Sequence, residues 1–375
     1  MDWNDFRNAF PVTRRWAYFD HAAVAPLSGP AQQALAEWAI DLAENGDVYE
    51  HNWLRRIEAV RQNFGRLLNA DPLDIAFVKN TSEGIGIVAE GFPWADGDNI
   101  VTAAEEYPAN VYPWLNLRSR GVETRLVPSR GNKVAVDDIR AAVDRRTRIV
   151  SLSLVEFASG YRNDLDAIGS FCRERDILFF VDAIQGLGVL PLDVAASPID
   201  ALAADGHKWL VGPEGAGVFY IRRELVEELH AVGVGWNSVR DSFNFSRLDF
   251  QLKPHAGRWE SGSLNVGGVM ALGASLELLQ KAGVSALAER ILFLTEHLCE
   301  QARRAGFEVF SSREPAERSG IVSLVVPGDP RERVRRCRAE NVAISQRGGR
   351  IRVSPHAYNT TDELDRLVQL LGANP

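Results

Sequence analysis

Five short apolar runs between Ile75 and Ile221 constrain this chain more than any other feature: Ile75 to Val78, Ile100 to Thr102, Ile149 to Val155, Ile177 to Val181 and Ala216 to Ile221. Stretches with helical spacing separate them, Val136 to Val143 and Leu165 to Arg175 among them. A strand with one wet face alternates apolar and polar residues; runs apolar at nearly every position suit strands covered on both faces. The alternation predicts an α/β fold with a doubly wound, mostly parallel sheet and helices on each side. From Gly267 onward the pattern changes to a long helical stretch through Leu278, another from Val284 to Arg304, then short strands near Val322 to Val326 and Ile351 to Val353. We read that segment as a smaller α+β C-terminal domain. The expected division is an N-terminal arm over 1–20, a large domain over 21–258 and a small domain over 259–375. Ligands of such sheets sit beyond the carboxyl ends of strands, so the residues just after each run are where function is sought.

Composition narrows the class. With 46% hydrophobic and 25% charged residues over 375 positions, the chain is neither disordered nor fibrous. A net charge of -8 argues against wholesale nucleic-acid binding, and the Arg-rich stretch Arg331 to Arg338, interrupted by acidic and apolar residues, reads as a solvated helix face. The apolar runs stop far short of the ~20 residues that cross a bilayer. The start, Met1 to Asp5, lacks the basic-then-apolar order of a signal peptide, and three scattered cysteines make no disulfide framework. The expectation is a cytoplasmic protein with reduced thiols.

Three segments carry chemistry. In Ala203-Ala204-Asp205-Gly206-His207-Lys208-Trp209-Leu210 a strand runs into a small polar turn that presents one lysine beside a histidine. Such a lysine is a candidate Schiff-base nucleophile, although most lysines are merely solvated. In Phe180-Val181-Asp182-Ala183-Ile184-Gln185-Gly186 a carboxylate ends an apolar strand, where its charge is costly unless paired. A protonated pyridine nitrogen is a fitting partner, and pyridoxal 5′-phosphate enzymes use that ion pair to keep the ring an electron sink; a helix N-cap is the plainer alternative. Gln185 is placed to hydrogen-bond the ring's phenolic oxygen. The third segment, Asn80-Thr81-Ser82-Glu83-Gly84-Ile85-Gly86, follows a strand and opens a helix, offering free N–H groups and a favourable dipole to a phosphate. Alone it is weak, since Thr and Ser also cap helices that bind nothing.

Taken in order with Tyr18-Phe19-Asp20-His21-Ala22-Ala23, with Arg258 to Asn265 and with Arg352 to Thr360, these segments make the chain resemble the fold-type-I pyridoxal-phosphate enzymes of the class V aminotransferase group. That group includes cysteine desulfurases, kynureninases and isopenicillin N epimerase-like proteins, and the resemblance covers nearly the whole chain. It implies an amino-acid substrate and a homodimer with shared sites. Lys208 would hold the cofactor and Asp182 its ring nitrogen. Thr81, Ser82 and His207 would bind the phosphate, and Ser263 would reach the phosphate of the neighbouring subunit. Tyr107 falls where the family stacks a His or aromatic ring on the cofactor, a sensible contact for a pyridine. Arg352 matches the arginine that grips the substrate α-carboxylate, for which a planar fork suits better than an ammonium; Arg347 and Arg350 lie close enough to leave the register open.

The sequence also departs from the family. Desulfurases carry a nucleophilic cysteine on a loop before the arginine segment, and Val342 to Arg352 contains neither the loop nor the cysteine. Cys172, Cys299 and Cys337 fall in helical patterns elsewhere and read as small buried residues. Glu156-Phe157 stands near where the desulfurases have an Asn, and Asp205 where many members place a phosphate-binding Ser, so Asp205 is not assigned to the phosphate. An aminotransferase-like outcome is favoured, with a C–S lyase lacking the persulfide cysteine or an amino-acid epimerase as alternatives. A non-catalytic binding protein would be expected to have lost Lys208, and a nucleotide-binding enzyme would need a Gly-x-Gly-x-x-Gly or Walker-type loop, which Gly84-Ile85-Gly86 does not extend to. Trp236, Phe243, Phe245 and Trp259 are candidates for an apolar substrate pocket or for core and interface packing.

Overall fold

The computed structural model describes residues 2–373; Met1, Asn374 and Pro375, at the ends of the expected arm and C-terminal domain, lie outside them. Ala17–Tyr18 forms β1. A seven-stranded sheet follows from β2 (Ile75–Val78), β3 (Asn99–Ala103), β4 (Glu123–Val127), β5 (Thr147–Ser153), β6 (Leu178–Asp182), β7 (Ala201–Asp205) and β8 (Gly217–Ile221). Its order is β2-β8-β7-β6-β5-β3-β4. Every ladder is parallel except the two that β8 makes with β2 and β7. Six strands therefore run one way with β8 reversed among them, and all six release their carboxyl ends at the same edge.

Two of these strands left no apolar run in the sequence. The edge strand β4 is half exposed and reads Glu-Thr-Arg-Leu-Val. The fully buried β7 is Ala-Leu-Ala-Ala-Asp; it is alanine-rich because the helix Thr81–Gly91 presses on it, so closely that a Cβ on Gly84 would stand 2.4 Å from Ala203 Cβ. The other strands extend or shorten the runs by a residue or two, which is the ordinary uncertainty of element ends.

The C-terminal part forms a second sheet, ordered β12-β13-β10-β9, from β9 (Glu308–Val309), β10 (Val322–Val325), β12 (Ser345–Arg347) and β13 (Arg350–Val353). Between them β11 (Val342–Ala343) pairs in parallel with β1, so the start of the chain is stitched to its end. The helices Val266–Ala282 and Val284–Arg304 follow the expected pattern, and Arg331 to Arg338 lies on the helix Pro330–Ala339. Among the described residues no helix is long and apolar enough to cross a membrane.

Candidate active site

Five of the six co-directional strands deliver residues to one cavity of about 340 Å³, and four of them deliver polar ones. Asn80, Thr81 and Ser82 follow β2, Tyr107 follows β3, Phe157 follows β5, Asp182 ends β6 with Gln185 beyond it, and Asp205, His207 and Lys208 come from the end of β7. This is the placement expected of a ligand site in an open α/β sheet. Arg347 and Arg352 enter from the C-terminal sheet, and Ala22 to Val24 from the segment after β1. The cavity thus gathers Thr81, Ser82, Tyr107, Asp182, Gln185, His207, Lys208 and Arg352, all singled out in the sequence. Ser263 is not among them; it lines a separate cleft with Lys79, Glu83 and Trp259.

The floor is Asp182. One carboxylate oxygen accepts from the Ile184 N–H at 3.0 Å, and the side chain faces the cavity while only 2% exposed. Burial pushes its pKa up to about 6, against the pull of the Ile184 N–H and the Lys208 ammonium. Burial likewise brings Lys208 down to about 8, with Asp182 opposing and Arg352 reinforcing. An amine of that kind supplies neutral nucleophile close to neutral pH. Its Nζ lies 5.3 Å from the Tyr107 ring centroid, and that ring meets Phe157 edge-on at 5.3 Å.

The Lys208 turn is clamped on every side. Val211, a β-branched residue at φ +48°, closes it with an N–H donated to Lys208 O at 3.0 Å, a conformation that persists only where its surroundings enforce it. The Ala25 N–H donates to His207 O at 2.7 Å. Gln185 donates to Ala22 O and accepts from the Trp209 indole, both at 3.0 Å, which leaves one amide hydrogen for a ligand. His207 Nδ1 lies 2.8 Å from Asp205 Oδ2. The Asp205 N–H donates to Thr81 Oγ1 at 3.1 Å, tying the turn to the helix Thr81–Gly91. Asn80 caps that helix by accepting from Glu83 N at 2.9 Å, and the Thr81 and Ser82 N–H groups ahead of it have no intrahelical acceptor.

At the opposite end, Arg352 is 1% exposed. Its guanidinium donates to Phe157 O at 3.0 Å, to Ser345 Oγ at 3.3 Å and to Asp20 Oδ1 at 3.3 Å. Burial lowers its pKa to about 10, opposed by Asp20. The hairpin that carries it turns on Gly348 and Gly349, at φ +53° and +75°, the left-handed pair that tight hairpins favour. Arg347 lines the cavity, whereas Arg350 packs 3.7 Å over the Phe310 ring and bonds Ser323. The structure so separates three arginines that the sequence left together.

Some suggestions from sequence do not hold in the chain's own pocket. None of Trp236, Phe243, Phe245 and Trp259 lines it. The first three form an exposed cluster with ring centroids 5.5–6.4 Å apart, and Trp259 is buried edge-on against Phe219. Sequence reasoning gave no role to Asn80, Glu214 or Asp20; Asp20 and Arg352 both belong to segments the resemblance had marked, but nothing in the sequence joined the two.

The chain matches the family model Aminotransferase class-V over residues 17–367. It belongs to that family. A probable cysteine desulfurase of Methanothermobacter thermautotrophicus is 30% identical, across 99% of this chain and 97% of the relative. Among solved structures, a cystine C–S lyase in complex with its reaction product cysteine persulfide is 25% identical with a TM-score of 0.91, covering 97% of this chain and 99% of the other. The cysteine desulfurase CsdA (S-sulfonic acid) from Escherichia coli is 26% identical with a TM-score of 0.88, covering 99% and 97%. This class-V protein is thus a fold-type-I enzyme whose cofactor is pyridoxal 5′-phosphate, and the cavity fits that group: a buried acid at the floor, a lysine beside it and a helix N-terminus at one end.

Proposed function

We propose that this enzyme is a C–S lyase that cleaves the Cβ–S bond of a cysteine-derived amino acid, a disulfide or thioether of the cystine type. The sulfur-bearing fragment leaves without being loaded on a cysteine of the enzyme. The observation that carries this reading is a cavity holding Lys208, Asp182 and Arg352 and lined by no thiol. All three cysteines are buried, and burial pushes Cys172 up to about 12 and Cys299 and Cys337 up to about 11, far from a reactive thiolate. The names of the relatives support C–S cleavage over the aminotransferase outcome favoured on sequence alone, which would use the same lysine and aspartate.

Bound pyridoxal phosphate supplies an electron sink for the pair left at Cα. Lys208 would carry it covalently and, when freed, would take the Cα proton as general base. Asp182 would hold the ring nitrogen, Gln185 the phenolic oxygen, Tyr107 would pack on the ring, and Thr81, Ser82 and His207 would bind the phosphate. Arg352 receives the α-carboxylate, and its existing bonds to Asp20 and Phe157 O fix the direction of the fork. Elimination followed by hydrolysis consumes one water and yields pyruvate, ammonia and the thiol or persulfide, with no external oxidant or reductant. A second copy of the chain completes the site through Ser263, which the single chain keeps outside the cavity.

The test is to incubate the holoenzyme with L-cystine, L-cysteine and S-substituted cysteines and to quantify pyruvate, ammonia and persulfide or thiol. Stoichiometric pyruvate with the released sulfur species is expected. Conversion of the cofactor to its amine form, reversed by a keto acid and without pyruvate from the sulfur substrate, would overturn the lyase reading.

A further inference from the structure

Two buried glutamates behind Asp182 have no part in the scheme above. Glu156 follows β5 and Glu106 follows β3, the next strands in the sheet beside β6, so both stand at the same carboxyl edge as Asp182. Glu106, Glu156 and Asp182 are 5%, 4% and 2% exposed. Glu106 accepts from Ser153 N at 2.6 Å and from Ser153 Oγ at 2.5 Å, and Ser153 is the residue paired with Asp182 across the β5–β6 ladder. Glu156 Oε1 accepts from Asn163 Nδ2 at 2.8 Å, and the same nitrogen donates to Ser153 O at 2.8 Å. Glu156 Oε2 is buried with no hydrogen-bond partner among the described residues.

The ionisable groups that face this pair are acidic. Glu156 feels the charges of Asp182 and Glu105 and acts in turn on Glu106 and the Tyr161 phenol, while the Lys208 charge acts on Asp182. Three carboxylates packed together away from water cannot all ionise, and such groups titrate as a unit. Burial, opposed by Asn163 and reinforced by Asp182, pushes Glu156 up to about 7. Burial and the charge of Glu156 hold Glu106 well above the usual carboxylate range. A carboxylic acid can donate as well as accept, and the chain Glu106–Ser153–Asn163–Glu156 links the two acids through hydrogen bonds.

We propose that Glu106 and Glu156 share one proton and act as a positioning pair for the cofactor, keeping a single negative charge behind Asp182 that holds the ring nitrogen in its protonated form. This rests on the reading that Asp182 meets the ring nitrogen. The pair does not line the cavity; it acts from behind Asp182, its charge adding to that of Asp182 at the ring nitrogen. Its signature is non-additive: either glutamate alone can carry the charge, so removing one leaves the field and removing both abolishes it.

The experiment reads two signals in holoenzyme reconstituted with ring-15N pyridoxal 5′-phosphate: the nitrogen chemical shift across pH, and the infrared C=O band of a buried carboxylic acid at neutral pH. In the wild type the band is present and the nitrogen protonated. In E106Q and in E156Q the band is lost and the nitrogen stays protonated. In E106Q/E156Q the nitrogen gives up its proton at least about one pH unit lower, a tenfold shift in that equilibrium. A double variant with the wild-type nitrogen titration overturns the proposal, as does either single variant that keeps the acid band; the single variants decide the matter should the double variant not fold. A wild type whose bound ring nitrogen is unprotonated at neutral pH would instead sink the reading of Asp182 itself.

Discussion

At the Asp182 end of the cavity every proposed functional side chain leaves the carboxyl end of a strand in one sheet; at the Arg352 end the side chains come from the segment after β1, the loop after β5 and a C-terminal hairpin. The first end is fixed by neighbours in a continuous ladder, with Asp182 opposite Ser153 on one side and Ala203 on the other. The second is fixed by side chains reaching across the molecule, Arg352 to Asp20 and to Phe157 O. On the proposed assignment the cofactor's surroundings belong to the scaffold, and changes to the substrate's surroundings should leave it undisturbed.

That division can be broken by substitution. Lys208→Ala should have the largest effect, a fall in turnover of about 10³-fold, within the usual range for loss of a general base, together with loss of the borohydride-trappable link in intact mass spectrometry. Asp182→Asn should lower kcat/KM by about 10²-fold, because it removes a charge partner from a buried site, and should shift the visible spectrum of the bound cofactor. Arg352→Lys tests the other end: KM should rise roughly 10- to 100-fold, the worth of charge-assisted hydrogen bonds of ~1.5–3 kcal/mol, with kcat and the cofactor spectrum little changed. A large spectral change in that variant would mean that the two ends are one unit. The smallest effect is a pH dependence. Cofactor capture by the empty protein needs the neutral Lys208 amine, so its rate should climb about tenfold per pH unit below the lysine pKa and level off above about 8, as stopped-flow absorbance would show.

What could be read from the sequence follows the same line. Asp182 and Lys208 stood out because a charged residue at the end of an apolar strand demands a reason. The parallel sheet was visible in its runs; alanine-rich β7, packed against a helix, showed only as the strand leading into the Lys208 turn, and β4 was hidden by its exposed edge, where facing water replaces the apolar pattern. Arg352 could be found, yet not distinguished from Arg347 and Arg350, because only the turn at Gly348-Gly349 decides which guanidinium faces the cavity. Asp20 and Phe157 O are remote in sequence from the arginine they hold, and no local pattern records such a partnership. Glu106 drew no notice, and Glu156 stood out only as a departure from the family's Asn; their burial depends on strands β3 and β5 ending at the same edge as Asp182.

The stitch between the two ends of the chain bears on how the enzyme is made. Asp20 and Arg352 are separated by 332 positions, and β1 finds its partner only in β11. Emerging from a ribosome amino end first, the chain can assemble its large sheet early but cannot finish the Arg352 end of the cavity until Arg352 has appeared. Contacts of such long range are slow to form. Binding the cofactor favours whichever state has the completed cavity, so cofactor present during synthesis should raise the yield, and a truncation after β10 should leave a chain that folds in part and never matures.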